Sequence, residues 1–153
     1  MKSIILHNIR SAYNVGSILR TADAIGISKV YMTGYTPSPL DDFGKKRKDI
    51  SKVALGAEDS LEWEYNSNIS NLLKKLKKEK VQIIAIEQSE KAIDYKKVKC
   101  NLSCVFIFGN EVKGLSQSIL DKADIVAQIP MKGEKESLNV AVSAGVALFR
   151  ILD

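Results

Sequence analysis

The sequence predicts an α/β fold: a mostly parallel sheet with helices on both sides. Three observations carry this reading. Strand-like and helix-like segments alternate from one end of the chain to the other. Residues 81–86 and 104–108 are continuous apolar runs of strand length, as expected where helices cover both faces of a sheet. Elsewhere apolar residues recur at helical spacing, as at Ile69, Leu72, Leu73 and Leu76. With 153 residues, no internal repeat and no low-complexity linker, the chain is expected to form one domain spanning 1–153.

Element by element, residues 3–7 form a short β-rich run. Residues 14–25 read as a helix with Asn14 as N-cap and Gly26 as its stop. A strand is predicted over 29–33, then a loop over 34–44 rich in Pro, Asp and Gly, leading into Lys45, Lys46, Arg47 and Lys48. A short helix over 49–56 and a strand over 61–65 follow, with Trp63 and Tyr65 at core or rim positions. The helix around Leu72 carries Lys74, Lys75, Lys77 and Lys78, the pattern of a solvated face. After the strands at 81–86 and 104–108 come a helix over 116–122, a strand over 125–129 and a final helix over 138–152. That last helix is apolar on most sides, with Val140, Val142, Ala144, Val146, Ala147 and Leu148, and predicts burial on most sides. In one small domain such cover comes from a dimer interface or a wrapping segment, or from flanking helices around a central core helix.

Composition narrows the class. Hydrophobic residues make up 45% and charged residues 27%, the balance of a globular protein rather than a disordered one. Lys and Arg number 23 against 18 acids, and the net charge of +5 suits a polyanionic partner without requiring one. Cys100 and Cys104 with the single His7 make too few ligands for a zinc site, and both cysteines read as reduced thiols. The N-terminal apolar stretch is short for a signal peptide and no run reaches the ~20 apolar residues of a spanning helix. A cytoplasmic protein without metal is expected.

Open α/β sheets bind ligands beyond the carboxyl ends of their strands. Three segments there carry chemistry. In Asn14-Val15-Gly16-Ser17-Ile18-Leu19-Arg20, a glycine at a helix start permits close approach and Arg20 lies one turn further on. In Phe108-Gly109-Asn110-Glu111-Val112-Lys113-Gly114-Leu115, the glycines have phosphate-loop spacing. Leu115, however, stands where that loop needs its lysine, and Glu111 would repel a triphosphate. No G-x-G-x-x-G is present, so the dinucleotide-binding fingerprint is absent too. The third segment is Ile129-Pro130-Met131 followed by Ser137-Leu138-Asn139-Val140, with Ser137 as expected N-cap of the last helix.

Together these three segments resemble the motifs of the SpoU/TrmH branch of the SPOUT methyltransferases. The first has the form N-x-G-x-x-x-R, the second the Gly-Asn-Glu-x-x-Gly core, and the third Ile-Pro-Met with Ser-Leu-Asn-Val. They match in order and spacing over essentially the whole chain. The resemblance implies a Rossmann-like sheet whose C-terminal part forms a deep trefoil knot, and a homodimer packed through the last helix. It implies S-adenosylmethionine as methyl donor, held through Ile86, Gly109, Ile129, Met131, Ser137 and Leu138. It places catalysis on Arg20 with Asn14, Glu111, Ser137 and Asn139, acting on a ribose 2′-hydroxyl of tRNA or rRNA.

Free arginine has a pKa above ~12 and is a poor base. Arg20 is therefore expected to bind the neighbouring phosphate and stabilise the developing alkoxide. RNA contacts are expected from Arg20, Lys45, Lys46, Arg47 and Lys48. Many relatives carry a separate RNA-binding domain and none is expected within 1–153, so the catalytic domain or a partner protein is expected to hold the substrate. Two other classes remain open: an RNA-binding protein that keeps the fold without turnover, and a small-molecule methyltransferase in which the basic loop is idle.

Overall fold

The computed structural model describes all 153 residues. Seven strands, β1 (Lys2–His7), β2 (Lys29–Thr33), β3 (Glu62–Asn66), β4 (Gln82–Ile86), β5 (Ile93–Asp94), β6 (Cys104–Phe108) and β7 (Ile125–Gln128), form one sheet. Its order is β3-β2-β1-β6-β4-β7-β5, and every pairing is parallel. Six helices complete the chain: α1 (Ala12–Ala24), α2 (Lys48–Ala54), α3 (Ala57–Ser60), α4 (Ile69–Lys78), α5 (Gln117–Lys122) and α6 (Val140–Leu152).

Side chains alternate across a strand, so each central strand feeds two cores. Ile4, Leu6, Ile84, Ile86, Phe106 and Phe108 point to the face covered by α1, α2 and α6. Ile5, Ile83, Ala85, Val105 and Ile107 point to the face covered by α4 and α5. This two-sided burial is why 81–86 and 104–108 read as apolar runs, broken only at Gln82, which is half-buried at the start of β4. On α4 the lysines lie on the exposed face, opposite Leu72, Leu73 and Leu76.

Several boundaries differ from expectation. Ser11, not Asn14, caps α1, its side chain accepting from the Asn14 amide at 3.1 Å. Asn14 lies inside the first turn and is buried, and its side chain, not needed as a cap, turns to tertiary partners. The stop at Gly26 holds, with φ +78. The single helix expected over 49–56 is instead α2 and α3, broken at Leu55 and Gly56, which both have positive φ. β3 is offset by one residue from the expected strand, β7 ends one residue early at Gln128, and β5 has only two residues, too few to show a period.

Asn139, not Ser137, caps α6, accepting from Ala141 and Val142. Nor is α6 buried all round. Val140, Ala144, Ala147 and Leu148 face the core, while Val142, Val146 and Phe149 are 50%, 37% and 45% exposed. Gly16 sits where α1 meets α2. A Cβ there would lie 2.7 Å from the Ile50 carbonyl oxygen, so only glycine permits that crossing. Cys100 and Cys104 are free, and burial beside Cys104 pushes the Cys100 thiol up to about 12, which makes it unreactive. No helix is long and apolar enough to cross a membrane.

Candidate functional site

A cleft opens at the carboxyl ends of β4, β6 and β7, where an open parallel sheet is expected to take its ligand. Its floor is apolar, from Ile86, Phe108, Ile129, Leu138 and Val140, and its rim is polar, from Gln88, Gln128, Ser137 and Ser143. Of the residues expected to hold a methyl donor, Ile86, Gly109, Ile129, Ser137 and Leu138 line it, and Met131 does not. Two carboxylates, Glu87 and Glu111, border the cleft, and no lysine, arginine or histidine does. Such a lining favours a ligand bearing positive charge and disfavours a polyphosphate.

Glu87 shapes the mouth. Its Oε2 accepts from the Leu115 amide at 2.7 Å and its Oε1 from the Gln88 amide at 2.9 Å. Gly114 adopts φ +64, and a Cβ on it would fall 2.2 Å from that Oε2. Glycine is thus required twice over, by backbone conformation and by space. Gln88 reaches across to donate to the Ile129 carbonyl at 2.8 Å, tying the β4 end to the chain leaving β7. Neither Glu87 nor Gln88 stands out in the sequence, because each is an ordinary polar residue following a strand.

Beside the cleft, three of the expected catalytic residues join in one network. Asn139 Nδ2 donates to Asn14 Oδ1 at 3.3 Å, and Asn14 Nδ2 donates to Glu111 Oε1 at 3.3 Å. Glu111 also accepts from the backbone amides of Arg10 and Ser11, each at 3.1 Å. Burial would raise the Glu111 pKa, but the amides of Glu111, Arg10 and Ser11 and the Asn14 side chain together hold it below the usual carboxylate range. It is therefore ionised at neutral pH, with its oxygens committed to positioning.

A second set of polar contacts was not anticipated. Asn8, in the left-handed region at φ 56, accepts from the Tyr35 amide through its Oδ1 and from Asn110 Nδ2 through its carbonyl. Asparagine tolerates that conformation better than most residues. Asn110 Nδ2 also donates to the Tyr35 hydroxyl at 2.9 Å, and Asn110 Oδ1 accepts from Val112 and Lys113. The ends of β1, β2 and β6 are thereby fastened together. His7 stands behind, its Nδ1 2.9 Å from Thr33 Oγ1, with burial lowering its pKa.

Arg20 is not in the cleft. It lies on the exposed side of α1 with Tyr13, makes no ion pair or hydrogen bond within the chain, and lines no part of the donor cleft. The basic run is split. Lys46 pairs with buried Glu58 at 3.1 Å and with Asp59 at 2.7 Å, and Arg47 pairs with Asp49 at 2.6 Å. Only Lys45 and Lys48 of the four are without an acidic partner.

An all-parallel seven-stranded sheet with a carboxylate-bordered cleft at its strand ends makes this an α/β protein of Rossmann-like architecture. Comparison with known proteins makes this specific: the profile of the SpoU rRNA Methylase family matches residues 1–149, and the chain belongs to that family. It is 35% identical over 147 residues to the 23S rRNA (guanosine-2′-O-)-methyltransferase RlmB of Neisseria meningitidis, covering 95% of this chain and 55% of that protein. It is 31% identical over 145 residues to the tRNA (guanosine(18)-2′-O)-methyltransferase of Aquifex aeolicus, covering 93% and 64%. The chain thus spans between 55% and 64% of the length of these curated relatives. The fold superposes on the AdoMet-bound rRNA methyltransferase of Sinorhizobium meliloti with a TM-score of 0.88 at 27% identity, over 97% of this chain and 54% of that one.

Proposed function

We propose that the protein transfers a methyl group from S-adenosylmethionine to a ribose 2′-hydroxyl of tRNA or rRNA. One observation carries this reading: a cleft bordered by carboxylates and free of cationic side chains lies against the Asn14–Glu111–Asn139 network. The named activities of the RNA 2′-O-methyltransferase relatives support it. The donor supplies a positively charged sulfonium and a transferable methyl. Ile86, Phe108, Ile129 and Leu138 give an apolar bed for an adenine ring, and Glu87 and Glu111 suit the positive charge. Gly109, Ser137 and, at the margin, Met131 complete this donor set.

Methyl transfer is an in-line displacement, so the acceptor oxygen must be held at near-contact distance. Asn14, Asn139 and Ser137 orient that oxygen, with Glu111 fixing Asn14. Glu111 is too acidic and too fully engaged to take the hydroxyl proton. Arg20 binds the adjacent phosphate and stabilises the developing alkoxide, and the proton leaves through a phosphate oxygen to solvent. Since Arg20 lies outside its own chain's cleft, it serves the cleft of a second copy.

The homodimer forms through Val142, Val146 and Phe149 of α6, which α1 packs beside and leaves exposed. A C-terminal trefoil knot belongs to the same reading. The Gln88 bond to Ile129 and the Ser89 bond to Gln128 support it, since they draw the segment after β4 against the chain entering α6. RNA reaches the site over Lys45 and Lys48, with Lys46 and Arg47 bracing the loop, in the cytoplasm where both substrates occur.

Two measurements test the proposal. Calorimetry should show S-adenosylmethionine binding, and mapping of 2′-O-methyl sites in cellular RNA with and without the gene should show one position lost. A protein that binds RNA but has no donor affinity is a binding module, and the proposal then fails.

A further inference from the structure

A second recess opens beside the cleft, lined by Arg10, Tyr35, Asn110, Val112 and Lys113. Asn110 and Val112 also line the donor cleft, so the two share a wall. We propose that this recess is the subsite for single-stranded RNA next to the methylated ribose, with Tyr35 stacking on a base and Arg10 and Lys113 binding flanking phosphates. The inference rests on the methyltransferase reading and names how its acceptor is held.

Tyr35 is 56% exposed as a residue yet fastened at both ends. Its hydroxyl accepts from Asn110 Nδ2 at 2.9 Å, and its backbone amide donates to Asn8 Oδ1 at 3.1 Å. An exposed aromatic with its rotation already restricted loses little entropy when a base lies on it. Val112, 89% exposed, supplies an apolar side to the same recess. Arg10 and Lys113 are exposed and take part in no ion pair, whereas Lys46 and Arg47 are neutralised by acids. An aromatic platform between two unpaired cations is the chemistry of an unstacked nucleotide. An acidic peptide would use the cations and leave the ring idle.

The test is fluorescence anisotropy of a labelled single-stranded 12-nucleotide RNA (a probe length of about 12 spans one module). Calorimetry of S-adenosylmethionine runs on the same proteins. Tyr35→Ala should weaken RNA binding about tenfold or more, and Tyr35→Phe should stay within about twofold of the parent. Arg10→Ala and Lys113→Ala should each reduce the slope of log K against log salt by about 0.7. Donor affinity should hold in all four.

The recess is rejected if Tyr35→Ala binds RNA like the parent, if Tyr35→Phe is as weak as Tyr35→Ala, or if the parent fails to bind the RNA at low salt. Displacement by heptaglutamate at the same concentrations as RNA rejects it too. RNA binding that obeys the ring criterion in a protein without donor affinity supports the recess and overturns the methyltransferase reading instead.

Discussion

The donor cleft and the Arg20 face of α1 differ in how much of each a single chain completes. Around the cleft, Glu87, Asn110, Glu111 and Asn139 each hold at least one polar partner from elsewhere in the chain. On α1, Arg20 has none, and the neighbouring α6 leaves Val142, Val146 and Phe149 open. A preorganised pocket costs no reorganisation when its ligand arrives. A guanidinium with no partner in its own chain has its geometry fixed by nothing in that chain. The proposed second copy would supply what this face lacks.

The sharpest way to break this contrast is Arg20→Ala. Turnover measured by methyl incorporation into RNA should fall by about 10²–10³-fold, with donor affinity by calorimetry unchanged. Arg20→Lys, which keeps the charge without the planar fork, should recover only a small part of the loss. If Arg20 acts on the partner's cleft, mixing Arg20→Ala with a variant blocked at the cleft, Leu138→Trp, should restore activity that neither has alone. No recovery on mixing would place Arg20 in its own chain's site.

Next in size is Glu111→Ala, which strands the amides of Arg10 and Ser11 and the Asn14 side chain. A cost of about 2 kcal/mol should lower Tm by about 4–8 °C in a scanning calorimeter. Gly114→Ala should cost about 1–2 kcal/mol from its left-handed backbone alone, and should weaken donor binding because the new methyl displaces the Glu87 carboxylate. Unchanged donor affinity there would separate Glu87 from the cleft.

The smallest effect is a pH dependence. The folded-state pKa of Glu111 lies below its unfolded value, so its contribution is present above the ordinary glutamate range and is lost as pH falls through the depressed value. Denaturant midpoints of the parent and Glu111→Gln should therefore converge on acidification below about pH 4.3.

The contrast also explains what could be read from the residues alone. The parallel sheet was legible because β4 and β6 are sandwiched, and two-sided burial leaves a near-continuous apolar run. Strand-end reasoning pointed to the loops after Ile86, Phe108 and Ile129, and these border the cleft; Ser137 and Leu138, which also line it, follow no strand and were named only through the motif resemblance. Capping was misread at both helices for one reason. Ser11 and Asn14 can each accept from a helix start, as can Ser137 and Asn139, and only tertiary contacts select between them. Asn8 and Tyr35 left no local trace, because their importance comes from contacts to residues 27 to 102 positions away. The basic run looked uniform, and its partition depends on Glu58, which becomes a partner only through folding.

Asn139 accepts from two amides at the start of α6 with its oxygen while donating a hydrogen bond to Asn14 with its nitrogen. Aspartate would begin the helix about as well but has no hydrogen to offer Asn14, whereas serine or threonine would have to accept and donate through one oxygen on a shorter side chain. Helix initiation, ordinarily a permissive position, is here tied to a side chain that both accepts and donates. Loosening the first turn of α6 would therefore disturb the Asn14–Glu111 pair before it unfolded the domain.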